Sequence, residues 1–536
     1  MERFDYVVVG GGSAGCIVAA RLSDDPETRV LLLEHGDSPA QHPETLRADG
    51  YKDAFANDAL LHDRFTVRDA RWGGRRLFAG SGRGLGGSGN INAMVYTRGA
   101  ALDYEEWPRG WRWPDVTPDF EALEATLRVR SRGPTPFTEA CLAAAEEAGF
   151  RRSEDLDDGD LSGVLGYEHM NFEGDARRSS YAAFLAPALE RPNLVVRTRA
   201  AVERLVVDAD GCVIGARYRH EGAHREARAA REVVMCAGAL ETPRILMLSG
   251  IGPGAALRRV GLPALLDVPE IGQNLHDHPN VSVFFRASRE IDFTTPQLYG
   301  FHRANERSAL PAGQSDSCYV FYPARSSLRE AMMRMLPGMV LPEGLYAQPR
   351  ARGAVKGAVS AAFASAAVRA QVARVFGIVV ILGKPKSRGD LTLAGASPRL
   401  PARIDLGTFA EREDLDTMIA GVARARAIAG ASPLARAWGA RELFPGPLGA
   451  SRAALEGWIR NNVMTTYHYA GTCRMGEEPS APVDARLRMR GVRGLRIADA
   501  SAIPSTPVSA MNAPSMLVGL RAARFLREER PPIARA

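Results

Sequence analysis

The feature that most restricts this chain is a thirty-residue stretch near its N-terminus, Asp5–Glu34, DYVVVGGGSAGCIVAARLSDDPETRVLLLE. Asp5–Val9 is a short apolar run of strand type. Gly10, Gly12 and Gly15 form a G-x-G-x-x-G turn. A helical pattern runs from Ser13 to Leu22, and a second strand from Arg29 to Leu33 ends at Glu34. Gly10 permits the tight turn, Gly12 lets backbone approach a pyrophosphate, and Gly15 allows close helix–strand packing. The helix start, with Ser13 and Ala14, offers free N–H groups and the positive end of a dipole. Glu34 follows Gly15 by 19 residues, a spacing suited to a ribose hydroxyl. The stretch therefore predicts a dinucleotide site and leaves FAD and NAD both open.

Length and charge set the surroundings. A chain of 536 residues exceeds one simple core, so two or more lobes are expected. The net charge of +6 rests almost wholly on Arg, the lysines being Lys52, Lys356, Lys384 and Lys386. No run of five like charges occurs, so no nucleic-acid arm is predicted. The six cysteines are scattered without metal-ligand spacing, and are expected as reduced thiols of a cytoplasmic protein. No signal peptide or transmembrane span is predicted.

A second dense stretch runs from Gly80 to Gly99, GSGRGLGGSGNINAMVYTRG. Its glycines exclude a regular helix, and an extended loop is expected up to a helix-like continuation over Ile91–Tyr96. Small residues beside Asn90 and Asn92 suit close approach to a flat ring system. Residues 35–80 read as a surface excursion near the cofactor, and Trp107, Trp111 and Trp113 as lobe-packing residues. Strands are expected at 194–198, 201–207, 212–218 and 231–236, with a helix opened by Pro243. Residues 290–353 read as a broken polar segment. One Ala- and Arg-rich helix is expected over 354–375, beside the substrate entrance, with peripheral membrane contact as an alternative.

Near the C-terminus, TTYHYAGTCRMG carries His468, and SAMNAP carries Asn512, 44 residues later. Between them Leu495–Ser501, LRIADAS, reads as a strand ending in an acid, Asp499. A neutral imidazole can accept a hydroxyl proton, and an amide N–H can steady the resulting alkoxide. His468 and Asn512 are therefore candidates for alcohol oxidation.

These segments together resemble the glucose–methanol–choline (GMC) family of FAD-dependent oxidoreductases over nearly the whole chain. The N-terminal fingerprint, Gly82–Asn92, Gly238–Leu246 with Ser249–Gly252, Gly272–Pro279, and the His468 and Asn512 segments match in order. The resemblance implies an α/β chain: a Rossmann-like FAD-binding domain with an interleaved substrate-binding domain built on an antiparallel sheet with helices. The FAD-binding parts are expected at 1–152, 194–289 and 466–530, and the substrate-binding parts at 153–193 and 290–465. His468 corresponds to the catalytic histidine and Asn512 to the second catalytic position. Gly87, Asn90, Asn92 and Ala93 would line the flavin, Val202 would meet the adenine, and Asp499 and Ala500 would run along the ribityl and pyrophosphate. His276 and His278 fall in a structural motif. The loop lacks the histidine through which some members attach FAD, so non-covalent FAD is implied. The implied partners are an alcohol and an electron acceptor, a quinone, redox protein or O2. A dehydrogenase of bacterial choline-dehydrogenase type is favoured over an oxidase. Hydroxynitrile lyases, fatty acid photodecarboxylases and a non-catalytic flavin-binding relative are the alternatives.

Overall fold

A computed structural model describes residues 2–530 of the chain. Two sheets organise them. In the seven-stranded first sheet, Glu2–Val9 lies between Val30–Leu33 and Ala223–Met235 and runs parallel to both. Leu194–Arg197 extends the parallel order on one side, and Leu495–Ile497 joins Ala223–Met235 on the other. Val7, Val8 and Val30–Leu33 are fully buried, as expected of apolar runs covered on both faces. Ala201–Val207 and Val213–His220 form an antiparallel hairpin, turned at Asp210-Gly211, and continue into Ala223–Met235. Helix Ser13–Leu22 is buried almost all round and packs against the last helix, Asn512–Glu529. The two helices approach so closely that a Cβ on Gly519 would lie 2.7 Å from Ala14 Cα.

The second sheet has eight strands. Arg441–Phe444, Pro279–Arg286, Val375–Leu382, Ser317–Pro323, Leu298–His302, Val164–Tyr167 and Arg151–Ser153 follow one another, and Met464–Thr465 pairs with Pro279–Asn280. All these pairings are antiparallel except that of Arg151–Ser153 with Val164–Tyr167. The strand Pro279–Arg286 thus joins the second sheet ten residues before the boundary expected at 289. Trp107 and Trp111 are core residues, each about 1% exposed, with their indoles donating to Ser505 and Ala485 carbonyls.

Three local expectations are corrected. The expected helix-like continuation over Ile91–Tyr96 is absent. A 3-10 turn covers Gly87–Asn90, and Val95–Tyr96 is a strand paired with His169–Met170. That pairing satisfies backbone groups that a short isolated helix would leave open. The helix expected over 354–375 is two helices, Pro349–Ala364 and Ala366–Val372, broken at Ser365, and Val375 already starts a strand. Residues 290–353 hold two central strands and the helix Ala324–Val340. Among the described residues no helix is long and apolar enough to cross a membrane. The Arg/Pro-rich chain end lies outside the described residues.

Candidate active site

One cavity of about 650 Å³ takes its walls from both sheets and from the last helix. Gly10, Gly12, Ser13, Ala14 and Glu34 line it from the fingerprint, and Val202 from the hairpin. Gly87, Asn92 and Ala93 come from the glycine loop, and Asp499 and Ala500 from the end of the Leu495–Ile497 strand. His468 and Asn512 reach the same cavity. Thirteen of the fifteen residues singled out in the sequence therefore meet at one cavity.

Gly15 and Asn90 do not line it. A Cβ on Gly15 would sit 1.9 Å from the Gly10 carbonyl oxygen, so this glycine serves helix–strand contact behind the turn. Asn90 is 2% exposed and donates Nδ2 to the Leu85 carbonyl at 2.9 Å. Its amide braces the glycine loop from within and cannot face a flavin.

The two carboxylates hold chain segments together. Glu34 Oε2 accepts from Gly11 N at 2.8 Å, and Oε1 accepts from Gly36 N and Gly84 N at 2.8 and 2.9 Å. It thereby ties the fingerprint to the glycine loop, and any ribose contact adds to that role. Asp499 Oδ2 accepts from Gly238 N and from Thr242 Oγ1, and Oδ1 accepts from Ser501 N. Burial pushes its pKa up, and those hydrogen bonds oppose the shift. The glycine loop is clamped from behind by buried Arg177. Its Nη1 donates to the Gly89 carbonyl at 3.0 Å and to Asn92 Oδ1 at 2.7 Å, and Nη2 donates to the Asn92 carbonyl at 2.6 Å. With no carboxylate on it, burial pushes the Arg177 guanidinium down to about 9.

His468 stands in a constrained turn. Tyr467, just before it, has φ of +63°, a left-handed conformation rare for a bulky residue. The turn is held by Tyr467 N donating to Thr465 Oγ1 and by His468 N donating to Asp277 Oδ1 at 2.7 Å. Asp277 is buried and its carboxyl is pushed up to about 7. His468 Nδ1 lies 2.9 Å from His278 Nδ1, with the rings at 89°. Burial lowers the His468 pKa to about 4, so the ring is neutral at pH 7. Protein encloses the side chain on most sides, and the surface left accessible is cavity wall. Asn512 opens the last helix. Its Oδ1 accepts from Ser13 Oγ at 3.2 Å, while its Nδ2 is buried without a partner.

These walls fit a flavin dinucleotide. A Cβ built on Gly12 would have only the Cys236 carbonyl oxygen near it, at 4.0 Å, so backbone lies open to a ligand there. No side chain caps helix Ser13–Leu22 and its first turn holds no acid, which suits a phosphate. Asn512 supplies a buried donor with nothing yet to receive it.

The family model for GMC oxidoreductase matches residues 4–280 and 385–519. This chain belongs to the GMC oxidoreductase family. It is accordingly an FAD-dependent flavoprotein. An uncharacterized GMC-type oxidoreductase of Mycobacterium tuberculosis is 34% identical over 98% of this chain and 99% of its own length. Alcohol dehydrogenase [acceptor] of Pseudomonas putida is 31% identical, over 98% of this chain and 95% of its own. Among solved structures, pyridoxine 4-oxidase from Mesorbium loti superposes with a TM-score of 0.83 at 27% identity, covering 98% of this chain and 99% of that one.

Other cavity residues escaped the sequence reading. Tyr51, Phe55 and Phe78 come from the 35–80 excursion, and Tyr299, Tyr322 and Glu330 from the segment read as broken and polar. Each is a lone residue with no motif around it. The continuous apolar and aromatic run Cys318–Tyr322 within Ser317–Pro323 was the one available signal that a buried strand crosses there.

Proposed function

We propose that this GMC oxidoreductase oxidises an alcohol to the carbonyl, with His468 as base and Asn512 as donor to the alkoxide. The observation that carries this reading is that His468, with its neutral imidazole, and Asn512, with its unpartnered amide N–H, line one cavity together with the nucleotide fingerprint. His468 Nε2, the ring nitrogen not engaged by His278, takes the hydroxyl proton. Asn512 Nδ2 donates to the oxygen as negative charge develops there. Bound FAD supplies the two-electron acceptor for the carbinol C–H bond. The apolar wall, with Phe55, Phe78, Val379 and Ile381 among its residues, excludes water from the alkoxide.

The alcohol reading is in keeping with the P. putida relative and with oxygen-dependent choline dehydrogenases, such as that of Vibrio vulnificus at 29% identity. A dehydrogenase that passes electrons to a quinone or redox protein is favoured over an oxidase. Anaerobic mixing of the holoenzyme with a panel of alcohols should bleach the oxidised-flavin band. Failure of every alcohol, with CO2 released from a fatty acid under light, would overturn the alcohol reading. His468→Ala should retain FAD and slow that bleaching by at least about 100-fold. Fast bleaching in the variant would remove His468 as the base.

A further inference from the structure

His278 is almost fully buried and was read from the sequence as part of a structural motif. The fold puts it against His468, 190 residues later in the chain. Pro279 and Asn280 pair antiparallel with Thr465 and Met464, and Thr466 N donates to the His278 carbonyl. This register brings the two rings together edge to face, Nδ1 to Nδ1, at 2.9 Å.

Two neutral imidazoles in such a contact share one hydrogen, so one Nδ1 donates and the other accepts. Burial keeps both rings neutral. The direction decides what His468 can do. With His278 as donor, His468 Nδ1 is the acceptor and its Nε2 carries the hydrogen, so the ring facing the cavity is not a base. With His468 as donor, its Nε2 is a bare lone pair.

The base role of His468 requires the second arrangement. His278 Nε2 is buried without a hydrogen-bond partner, so no contact on that side holds the ring as a donor at Nδ1. With the shared hydrogen on His468 Nδ1, His278 Nδ1 accepts it across the 2.9 Å contact.

We propose that His278 is a positioning residue that accepts the His468 Nδ1–H and so holds the His468 Nε2 lone pair bare toward the cavity. The same contact steadies the imidazolium once Nε2 has taken the hydroxyl proton, because its Nδ1–H keeps an acceptor. This assignment rests on His468 being the base.

The tautomer is read directly from 15N NMR of the histidine-labelled wild-type holoenzyme, with His468 assigned by loss of its signals in His468→Ala. A pyridine-type Nε2 and a pyrrole-type Nδ1 on His468 are expected, and the reverse overturns the proposal. This readout stands whether or not His468 proves to be the base, which His468→Ala bleaching decides separately. Kinetics supply the second arm. His278→Phe removes the acceptor and should lower the rate of flavin reduction at saturating alcohol by at least about tenfold, with little change in KM. His278→Gln, whose Oε1 can accept from the same N–H, should recover most of that loss. A wild-type rate in His278→Phe, or a His278→Gln as slow as it, would show that His278 does not position the base.

Discussion

Burial decides the chemistry available to single residues in this cavity. An exposed histidine is half protonated near pH 6.5 and so spends part of its time unable to accept a proton. Enclosure of His468 favours the uncharged ring and lowers its pKa to about 4. The sign is then fixed: the base form is present above that value and is lost as pH falls through it. Flavin reduction followed by stopped flow should stay level from neutrality to about pH 5 and decline below, with a midpoint of about 4. A midpoint near 6.5 would mean that the ring is solvated in the working enzyme. Asn512 shows the same principle for a neutral group. Its buried, unpartnered Nδ2 costs the folded protein about 1–3 kcal/mol until an acceptor arrives.

Elements are positioned by a few buried ties. The glycine loop has little side-chain mass of its own to pack, and Arg177 supplies the anchorage through three hydrogen bonds to Gly89 and Asn92. A charged donor contributes roughly 1.5–3 kcal/mol per hydrogen bond when its partner would otherwise be left unpaired. Arg177→Ala should therefore weaken FAD retention by about tenfold or more, seen as free flavin fluorescence on dilution. Far-UV circular dichroism should change little, because the first sheet does not depend on that side chain. Helix Asn512–Glu529 is tied differently. Its close approach to helix Ser13–Leu22 at Gly519 sets Asn512 beside Ser13.

At the scale of the whole molecule, the cavity is a seam. Its walls come from the first sheet, the second sheet, the excursion with Tyr51 and Phe55, and the chain end. A ligand filling such a seam binds the folded state and not the unfolded chain. FAD added to stripped protein should raise Tm progressively with concentration, by about 2.7 kcal/mol of stabilisation at one hundred times Kd. Differential scanning fluorimetry would register this as a rise of a few degrees. A Tm indifferent to FAD would contradict a site shared by both lobes.

The local chemistry of the nucleotide half was legible in the chain itself. Backbone turns, apolar strands and the Glu34 spacing are short-range patterns, and short-range sterics impose them wherever they occur. Gly10, with φ of +101°, and Gly15, with no room for a Cβ, do what their places in the pattern require. Asn90 misled because a small polar residue in a glycine loop looks the same whether its amide turns outward or inward. Only the packing against Leu85 and Gly86 turned it inward. The pairing of His278 with His468 depends on the register of strands almost two hundred residues apart, and so was beyond any local pattern. The same holds for the alcohol-facing wall, much of which lies between the two matched segments, residues 281–384. Sequence alone determined that a dinucleotide would be held and that a strand, glycine turn and helix would stand at the cavity wall, because that unit is built from consecutive backbone. Tertiary structure decided what surrounds His468 in the cavity, because those neighbours are made by long-range pairing.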